Sequence, residues 1–230
     1  MIVNRRELKY AISEFDYYRI ENILKTILTP DKNNGFSGYL IRSLYFDSIN
    51  NCDYYSKLSG DEVRKKIRLR IYKTNCKTVK LEIKRKININ QKKETIIITR
   101  EEALNLINKK YEVLLKYNNE TAKSIYNIMT LGQYEPVVIV EYNRRAYIHK
   151  ENNIRVTLDS NIRASETDFN LFSENLFLNP VFNHYDGLLE IKYNGEFFCW
   201  ISQIVKGKDA INQSMSKYCY SRKFFENYLA

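Results

Sequence analysis

Charged and apolar residues alternate along five separate segments of this chain, and each segment must therefore form a strand with two unlike faces. Side chains of a β-strand point alternately to opposite sides, so alternation with a period of two predicts a strand. The segment 63–72 shows the pattern most fully, with Arg64, Lys66, Arg68 and Arg70 at every second position. Apolar residues fill most of the positions between them. The same alternation occurs at residues 5–10, 79–86, 154–159 and 188–193.

The charged faces of these segments are mainly basic, and each of the other four carries a carboxylate. Their members are Arg5, Glu7 and Lys9; Lys80, Glu82, Lys84 and Lys86; Arg155, Thr157 and Asp159; and Glu190 and Lys192. An antiparallel sheet can expose one such face to water. The inverse arrangement buries the charges and turns the apolar faces outward to helices, and it needs a polyanion, with a divalent metal at the glutamates, to offset the buried charge. Spacing alone favours the solvent-facing arrangement.

Eight strands are predicted in all, together with flanking helices. The predicted strands are Glu7–Ile12, Ile41–Asp47, Val63–Tyr72, Thr78–Lys86, Glu94–Thr99, Val137–Tyr147, Ile154–Asp159 and Leu188–Tyr193. Ser13 and Thr99 have the spacing of helix N-caps, a further helix is predicted near Glu120–Met129, and the chain from Phe197 onward is predicted to be helical. We find no linker and no repeat, so residues 1–230 are interpreted as one domain. The pattern predicts an α+β fold, a closed eight-stranded antiparallel β-barrel with flanking helices.

Composition narrows the class of protein. Lys and Arg number 37 against 27 Asp and Glu, which gives a net charge of +10, and a hydrophobic fraction of 44% excludes a mainly disordered chain. Glycine-rich phosphate loops are absent, so side chains would have to bind any phosphate. No nucleic-acid recognition motif accompanies the charge, and specific nucleic-acid binding is not expected. The four cysteines are dispersed, and the sequence shows neither a long apolar run nor a signal peptide. These features together predict a cytoplasmic protein.

Ten short motifs then occur in a characteristic order. They are Arg5-x-Glu7-x-Lys9-Tyr10, Ser43-Leu44-Tyr45-Phe46-Asp47-Ser48, Tyr55-x-Lys57-Leu58-x-Gly60, Lys66-Ile67-Arg68-Leu69-Arg70-x-Tyr72, Leu81-Glu82-Ile83-Lys84, Pro136, Tyr142-Asn143-Arg144-x-Ala146, Arg155-Val156-Thr157-Leu158-Asp159, Leu189-Glu190-Ile191-Lys192 and Ser216-Lys217-Tyr218. In this order and spacing the chain resembles the VTC domain, the polyphosphate polymerase branch of the triphosphate tunnel enzymes. The resemblance covers nearly the whole chain.

The resemblance implies an eight-stranded tunnel lined by basic side chains. Polymerases of the family transfer the γ-phosphate of ATP to a growing inorganic polyphosphate chain, with Mn or Mg. By position, the implied substrate-binding residues are Lys9, Lys66, Arg68, Arg70, Lys84, Tyr142, Arg144, Arg155, Lys192, Ser216 and Lys217. Lys217, Arg70 and Arg144 are the implied catalytic residues, and Glu190 is the implied metal ligand. Because family members often work with membrane proteins, a separate membrane partner at the cytoplasmic face is a further implication.

Two other functions stay open. Hydrolytic relatives begin with Glu-x-Glu-x-Lys, whereas Arg5 stands at the first position here, which favours the polymerase branch. The same tunnel could still admit water and hydrolyse tripolyphosphate or nucleoside triphosphates. It could also bind polyphosphate without turnover.

Several residues also have plainer interpretations. Lys93 is only weakly implied, because Glu94 follows it where the family often has Arg. Asp159 is predicted to cap a turn, and Asp47 to serve a turn with Ser48. The remaining alternatives are barrel-wall packing for Tyr142, ion pairing for Glu82 and Glu141, and either an ion pair or a tunnel position for Glu7.

Overall fold

The alternating segments form the long strands of one antiparallel sheet. The computed structural model describes residues 5–88, 90–149, 154–182, 187–194, 211–212 and 215–222. The strands are β1 (Arg5–Ile12), β2 (Thr29–Pro30), β3 (Tyr39–Asp47), β4 (Val63–Ile71), β5 (Thr78–Ile87), β6 (Asn90–Thr99), β7 (Glu135–His149), β8 (Ile154–Ser165), β9 (Asn179–Pro180), β10 (Gly187–Asn194) and β11 (Ile211–Asn212). The eight predicted strands are thus present, and three two-residue strands join them.

Helices lie between the strands. They are α1 (Glu14–Ile27), α2 (Cys52–Leu58), α3 (Arg100–Ile107), α4 (Glu120–Leu131) and α5 (Lys217–Tyr220), with a 3₁₀ helix at Tyr111–Lys116. The predicted caps are confirmed: the Ser13 hydroxyl accepts from the Asp16 N–H, and Thr99 forms a reciprocal capping box with Glu102. Among the described residues, no helix is long and apolar enough to cross a bilayer.

The sheet order is β11-β1-β10-β8-β7-β3-β4-β5-β6, with β2 beside β7 and β9 beside β8. In the described residues no backbone hydrogen bonds join β6 to the other end of this path, so the expected closed barrel is not observed. The sheet nevertheless curls strongly. The curl is evident from the Glu7 carboxylate on β1, which lies 3.5 Å from the Lys84 ammonium on β5. Side chains, not backbone bonds, bridge the two ends.

Apolar faces of the strands point outward to the helices. Leu69 and Leu81 are buried with Ala103 of α3 and Ile125 of α4, and the apolar faces of β8 and β10 pack with α1. The opposite faces therefore point to the concave side of the sheet, where Glu190 is buried. The solvent-facing arrangement that spacing alone favours is wrong.

The C-terminal part differs from its prediction where it is described. Residues 211–212 form β11 on the edge of β1 rather than a helix, while Tyr218 does lie in a helix, α5. The predicted apolar anchors Trp200, Ile201, Ile204, Phe224 and Phe225 lie outside the described residues.

This layering can be tested with two truncations in neighbouring strands. Leu81→Ala removes a fully buried side chain under the helices and is expected to lower the free energy of unfolding by about 2–5 kcal/mol. Ile97→Ala removes a side chain that is 52% exposed and is expected to change it by less than about 1 kcal/mol. Equal decreases in the free energy of unfolding of the two variants, measured by urea denaturation, would contradict the assignment of the strand faces.

Candidate functional site

The concave face of the sheet collects charged side chains from seven strands and from α5. We call this set the charged interior. Its cations are Lys9, Lys66, Arg68, Arg70, Lys84, Lys93, Arg144, Lys192 and Lys217, and its carboxylates are Glu7, Glu82, Asp159 and Glu190. Among the described residues the cations of this set outnumber the carboxylates by nine to four. A polyanion is the ligand that such an excess favours.

Two carboxylates meet at one side of the charged interior. The Lys9 ammonium lies 3.4 Å from the Glu7 carboxylate and 3.5 Å from that of Glu190, while Lys192 lies 2.9 Å from Glu190. Burial favours the protonated form of Glu190, but the Lys192 and Lys9 ammonium groups outweigh it and hold the pKa of Glu190 well below its usual range. Glu190 is therefore ionised at neutral pH, and Glu7, which the sequence left undecided, lies beside it.

This pair of carboxylates fits a hard divalent cation that is shared with a substrate. Mg²⁺ is commonly held by one or two carboxylates and completes its shell with phosphate oxygens and water. The described residues contain no cluster of three or more His, Cys, Asp or Glu that could hold a metal. Glu190 and Glu7 thus suit Mg or Mn only with phosphate present, rather than a closed protein cage.

Asp159 organises the second part of the charged interior. Its carboxylate accepts two hydrogen bonds from Arg144, at 2.6 and 2.7 Å, and lies 2.7 Å from the Lys217 ammonium. The Tyr142 ring lies beneath both cations, 5.3 Å from the Arg144 guanidinium carbon and 4.9 Å from the Lys217 nitrogen. Burial alone would raise the pKa of Asp159, but the positive charges of Arg144 and Lys217 have the larger effect and lower this pKa below its usual value. The predicted turn cap is wrong, since Asp159 is fully buried and holds two of the predicted catalytic cations together.

Glu82 has the same role for the arginines of β4. Arg68 binds it at 2.7 Å, Arg70 lies 3.9 Å away, and Lys93 of β6 lies 2.5 Å from its other oxygen. Although burial raises the pKa of Glu82, Arg68 and Arg70 lower it to about 2. The ion pairing expected of Glu82 is confirmed, and Lys93 belongs to the charged interior in spite of its weak sequence signal.

Lys66 differs from these cations because no carboxylate partners it in the described part of the chain. Its ammonium donates to the Ser216 hydroxyl at 2.6 Å and lies 5.2 Å from the centre of the Tyr218 ring. Burial lowers the pKa of Lys66 to about 8. A half-buried ammonium whose contacts, among the described residues, are a hydroxyl and a ring is a ready site for a phosphate oxygen.

Tyr218 anchors the short helix that carries Lys217. Its hydroxyl donates to the buried Asp47 carboxylate, and its ring stacks on Tyr45 with 5.2 Å between centroids. Asp47 also accepts the backbone N–H groups of Asp53 and Tyr54 at 2.9 Å. The expected turn of Asp47 with Ser48 is present, since the Ser48 N–H donates to the Asp47 carboxylate and the Asn51 N–H donates to the Ser48 carbonyl. The same carboxylate also accepts from the first turn of α2, a helix that the sequence analysis does not predict and whose N-cap residue is Asn51. Asp47 thereby ties α2 to α5.

Arg155 is the predicted site residue that stands apart. It lies on the inward face of β8, but its guanidinium is 2.7 Å from the Asp31 carboxylate and 3.3 Å from the Tyr39 hydroxyl. Its partners thus lie at the start of β3 and in the loop before it.

On the outer side of the sheet, Glu141 pairs with Arg42 and Arg163, which is the ion pairing expected of Glu141 from the sequence.

The family to which this chain belongs is shown by its sequence. The model of the VTC domain family matches residues 4–226. The chain belongs to the VTC domain family. The resemblance stated from the motifs is confirmed over nearly the whole chain, although no curated protein sequence matches it significantly.

Two solved structures share the fold of this VTC domain. One is a candidate adenylate cyclase from Bacillus halodurans, at 12% identity and a TM-score of 0.50, covering 99% of this chain and 88% of that one. The other is a candidate adenylate cyclase from Vibrio parahaemolyticus, also at 12% identity and 0.50, covering 93% and 96%. At this identity the likeness shows a common fold.

The lowered pKa of Lys66 predicts a pH dependence of anion binding. Phosphate needs the protonated ammonium, and Lys66 with a pKa of about 8 loses its proton as the pH rises through that value. Between about pH 7 and about pH 9 the affinity for tripolyphosphate without metal should fall about tenfold more in the wild type than in Lys66→Arg, since arginine keeps its charge. Isothermal titration calorimetry in EDTA measures both. Parallel pH profiles would show that Lys66 does not bind phosphate.

Proposed function

We propose that this VTC-domain protein is a polyphosphate polymerase that transfers the γ-phosphate of ATP to a growing inorganic polyphosphate chain. The observation that carries the proposal is the excess of cations over carboxylates in the charged interior, including half-buried Lys66, which has no carboxylate partner among the described residues. Family membership and the shared fold support the broader class, a triphosphate tunnel enzyme. The single domain, the cytoplasmic location and the membrane partner stay predictions.

The row of cations on β4 suits a linear polyphosphate. Lys66, Arg68 and Arg70 follow each other at two-residue spacing on one face of β4. The Cα atoms of two successive members therefore lie about 7 Å apart along the strand. Guanidinium groups bind phosphate through paired hydrogen bonds, and ammonium groups act as point charges. Successive phosphates of ATP or of the polymer could therefore contact successive side chains of this strand.

In this proposal Lys217 and Arg144 act on the transferred group. In the transfer, the bond between the γ-phosphorus and the bridging oxygen of ADP breaks, and a bond to a terminal oxygen of the polyphosphate acceptor forms. That acceptor oxygen is already anionic, so no base is needed. The requirement is positioning and neutralisation of charge. Asp159 holds Lys217 and Arg144 at one point of the charged interior and supplies this arrangement.

Glu190, with Glu7 beside it, would hold the Mn or Mg ion. When bound, such an ion neutralises phosphate oxygens and orients the chain. Lys9 and Lys192 both pair with Glu190 and offset its negative charge.

Removal of Lys217 tests the polymerase directly. Lys217→Ala should lower polyphosphate formation from ATP and Mn by at least about a hundredfold, the typical cost of removing one group that stabilises transition-state charge. Products are resolved on polyacrylamide gels stained for polyphosphate. Lys123→Ala is the matched control, because Lys123 is an exposed lysine paired with Glu120 on α4.

The products also separate the alternative functions. Release of orthophosphate without chain growth would replace the polymerase with a hydrolase. Tight tripolyphosphate binding without either product would leave a binding module. Full activity of natively folded Lys217→Ala would remove Lys217 from the site.

The metal assignment predicts a separate outcome for Glu190→Gln. The amide keeps the shape of the side chain but loses its charge, so the stimulation of turnover by Mn should fall about tenfold or more. Tripolyphosphate binding in EDTA should be retained or become tighter, because a carboxylate next to the phosphates is removed. Unchanged Mn stimulation in a turnover titration would show that Glu190 is not the ligand.

A further inference from the structure

Two tyrosines lie together at one end of the charged interior. Tyr39 begins β3, and Tyr72 directly follows β4 and is two residues beyond Arg70, on the same face. Their ring centroids are 6.1 Å apart, and the rings are tilted by 48°. Tyr72 is 37% exposed, so part of its ring faces solvent. The pair is thus an aromatic surface at the mouth of a phosphate-binding face.

Cations flank both rings. The Lys80 ammonium lies 4.9 Å from the centre of the Tyr72 ring, and an Arg155 guanidinium nitrogen donates to the Tyr39 hydroxyl at 3.3 Å. An aromatic face with cations beside it suits a nucleotide, whose base stacks and whose phosphates are anionic. This placement also accounts for Arg155, whose partners separate it from the other predicted site residues.

The tyrosines are close to the groups assigned to phosphate. Tyr39 is the strand partner of Arg144, and Tyr72 lies about 7 Å along the strand from Arg70. At the other end of β4 and β5 the inward pair is Arg64 and Lys86, which face each other in register. The two ends therefore differ in chemistry: one is aromatic and cationic, and the other is cationic on both strands.

We infer that Tyr39 and Tyr72 bind the nucleobase of the nucleoside triphosphate at this mouth, with the phosphates directed inward to Arg70 and Arg144. The inference rests on the proposed function, in which a nucleoside triphosphate is the donor. Stacking recognises the face of a base rather than its edge, so ATP and GTP should bind with similar affinity.

Binding of ATP and of tripolyphosphate to the full chain tests the site. Tyr72→Ala should weaken ATP binding by about tenfold, the typical effect of removing one stacking aromatic, and should leave tripolyphosphate binding within about twofold. Titration calorimetry in EDTA measures both ligands without turnover. Tyr18→Ala is the matched control, since Tyr18 is an exposed tyrosine on α1, and Tyr39→Phe should keep ATP affinity because it keeps the ring.

Two results would overturn the inference. ATP binding that is unchanged in Tyr72→Ala would show that the base does not contact this ring. An equal loss of ATP and tripolyphosphate would show a general disturbance of the phosphate site.

The outcome is independent of the polymerase assay. A selective loss of ATP affinity in a protein that makes no polymer would keep the nucleobase site and remove the polymerase. Polymer synthesis by the wild type, together with unchanged ATP affinity in Tyr72→Ala, would keep the polymerase and remove the nucleobase site.

Discussion

Buried ion pairs between side chains of neighbouring strands are the interaction on which this structure depends. Asp159 binds Arg144 and Lys217, and Glu82 binds Arg68 and lies near Arg70. Each pair offsets the desolvation of cations that would otherwise be excluded from the concave face, and loss of one partner of such a buried pair typically costs about 3–5 kcal/mol. The carboxylates therefore set how many cations the fold can keep in its interior before a ligand arrives.

The outer layers follow from this inverted distribution of charge. Because the inward faces are ionic, the apolar faces of the strands need cover from outside, and α1, α3 and α4 supply it. Where no backbone hydrogen bonds join the two ends of the sheet in the described residues, Glu7 of β1 reaches Lys84 of β5 across the gap. Polar contacts extend to α5, where the Tyr218–Asp47 hydrogen bond ties Lys217 to the junction of β3 and α2.

Sequence reasoning identifies which residues share a face and cannot say which way the face points. Alternation places Lys66, Arg68 and Arg70 together, because the period of a strand is fixed by its geometry. Whether that face is buried depends on partners far away in sequence, as for Lys66 and Ser216. The turn predicted at Asp159 is wrong for a related reason: the alternation stops at Asp159 as it does at the end of a strand, whereas β8 continues to Ser165. The family resemblance supplies the inward direction. The sequence does not predict α2, because the side chain that accepts its first N–H groups, Asp47, lies before the N-cap residue Asn51 and outside the usual cap spacing.

The ion pairs differ in how readily a phosphate could replace them. Arg144 is held by two hydrogen bonds to Asp159 at 2.6 and 2.7 Å, so it is fixed in orientation and can present only its remaining N–H groups. Lys217 makes one contact to a single oxygen of Asp159 and lies over the Tyr142 ring, so an incoming phosphate can share its ammonium without breaking a bidentate pair. For Lys66, the hydrogen bond to exchange in the described part of the chain is the one to the Ser216 hydroxyl. The same interior thus combines fixed cations, which define the path, with cations that can transfer their contacts to a phosphate as it enters.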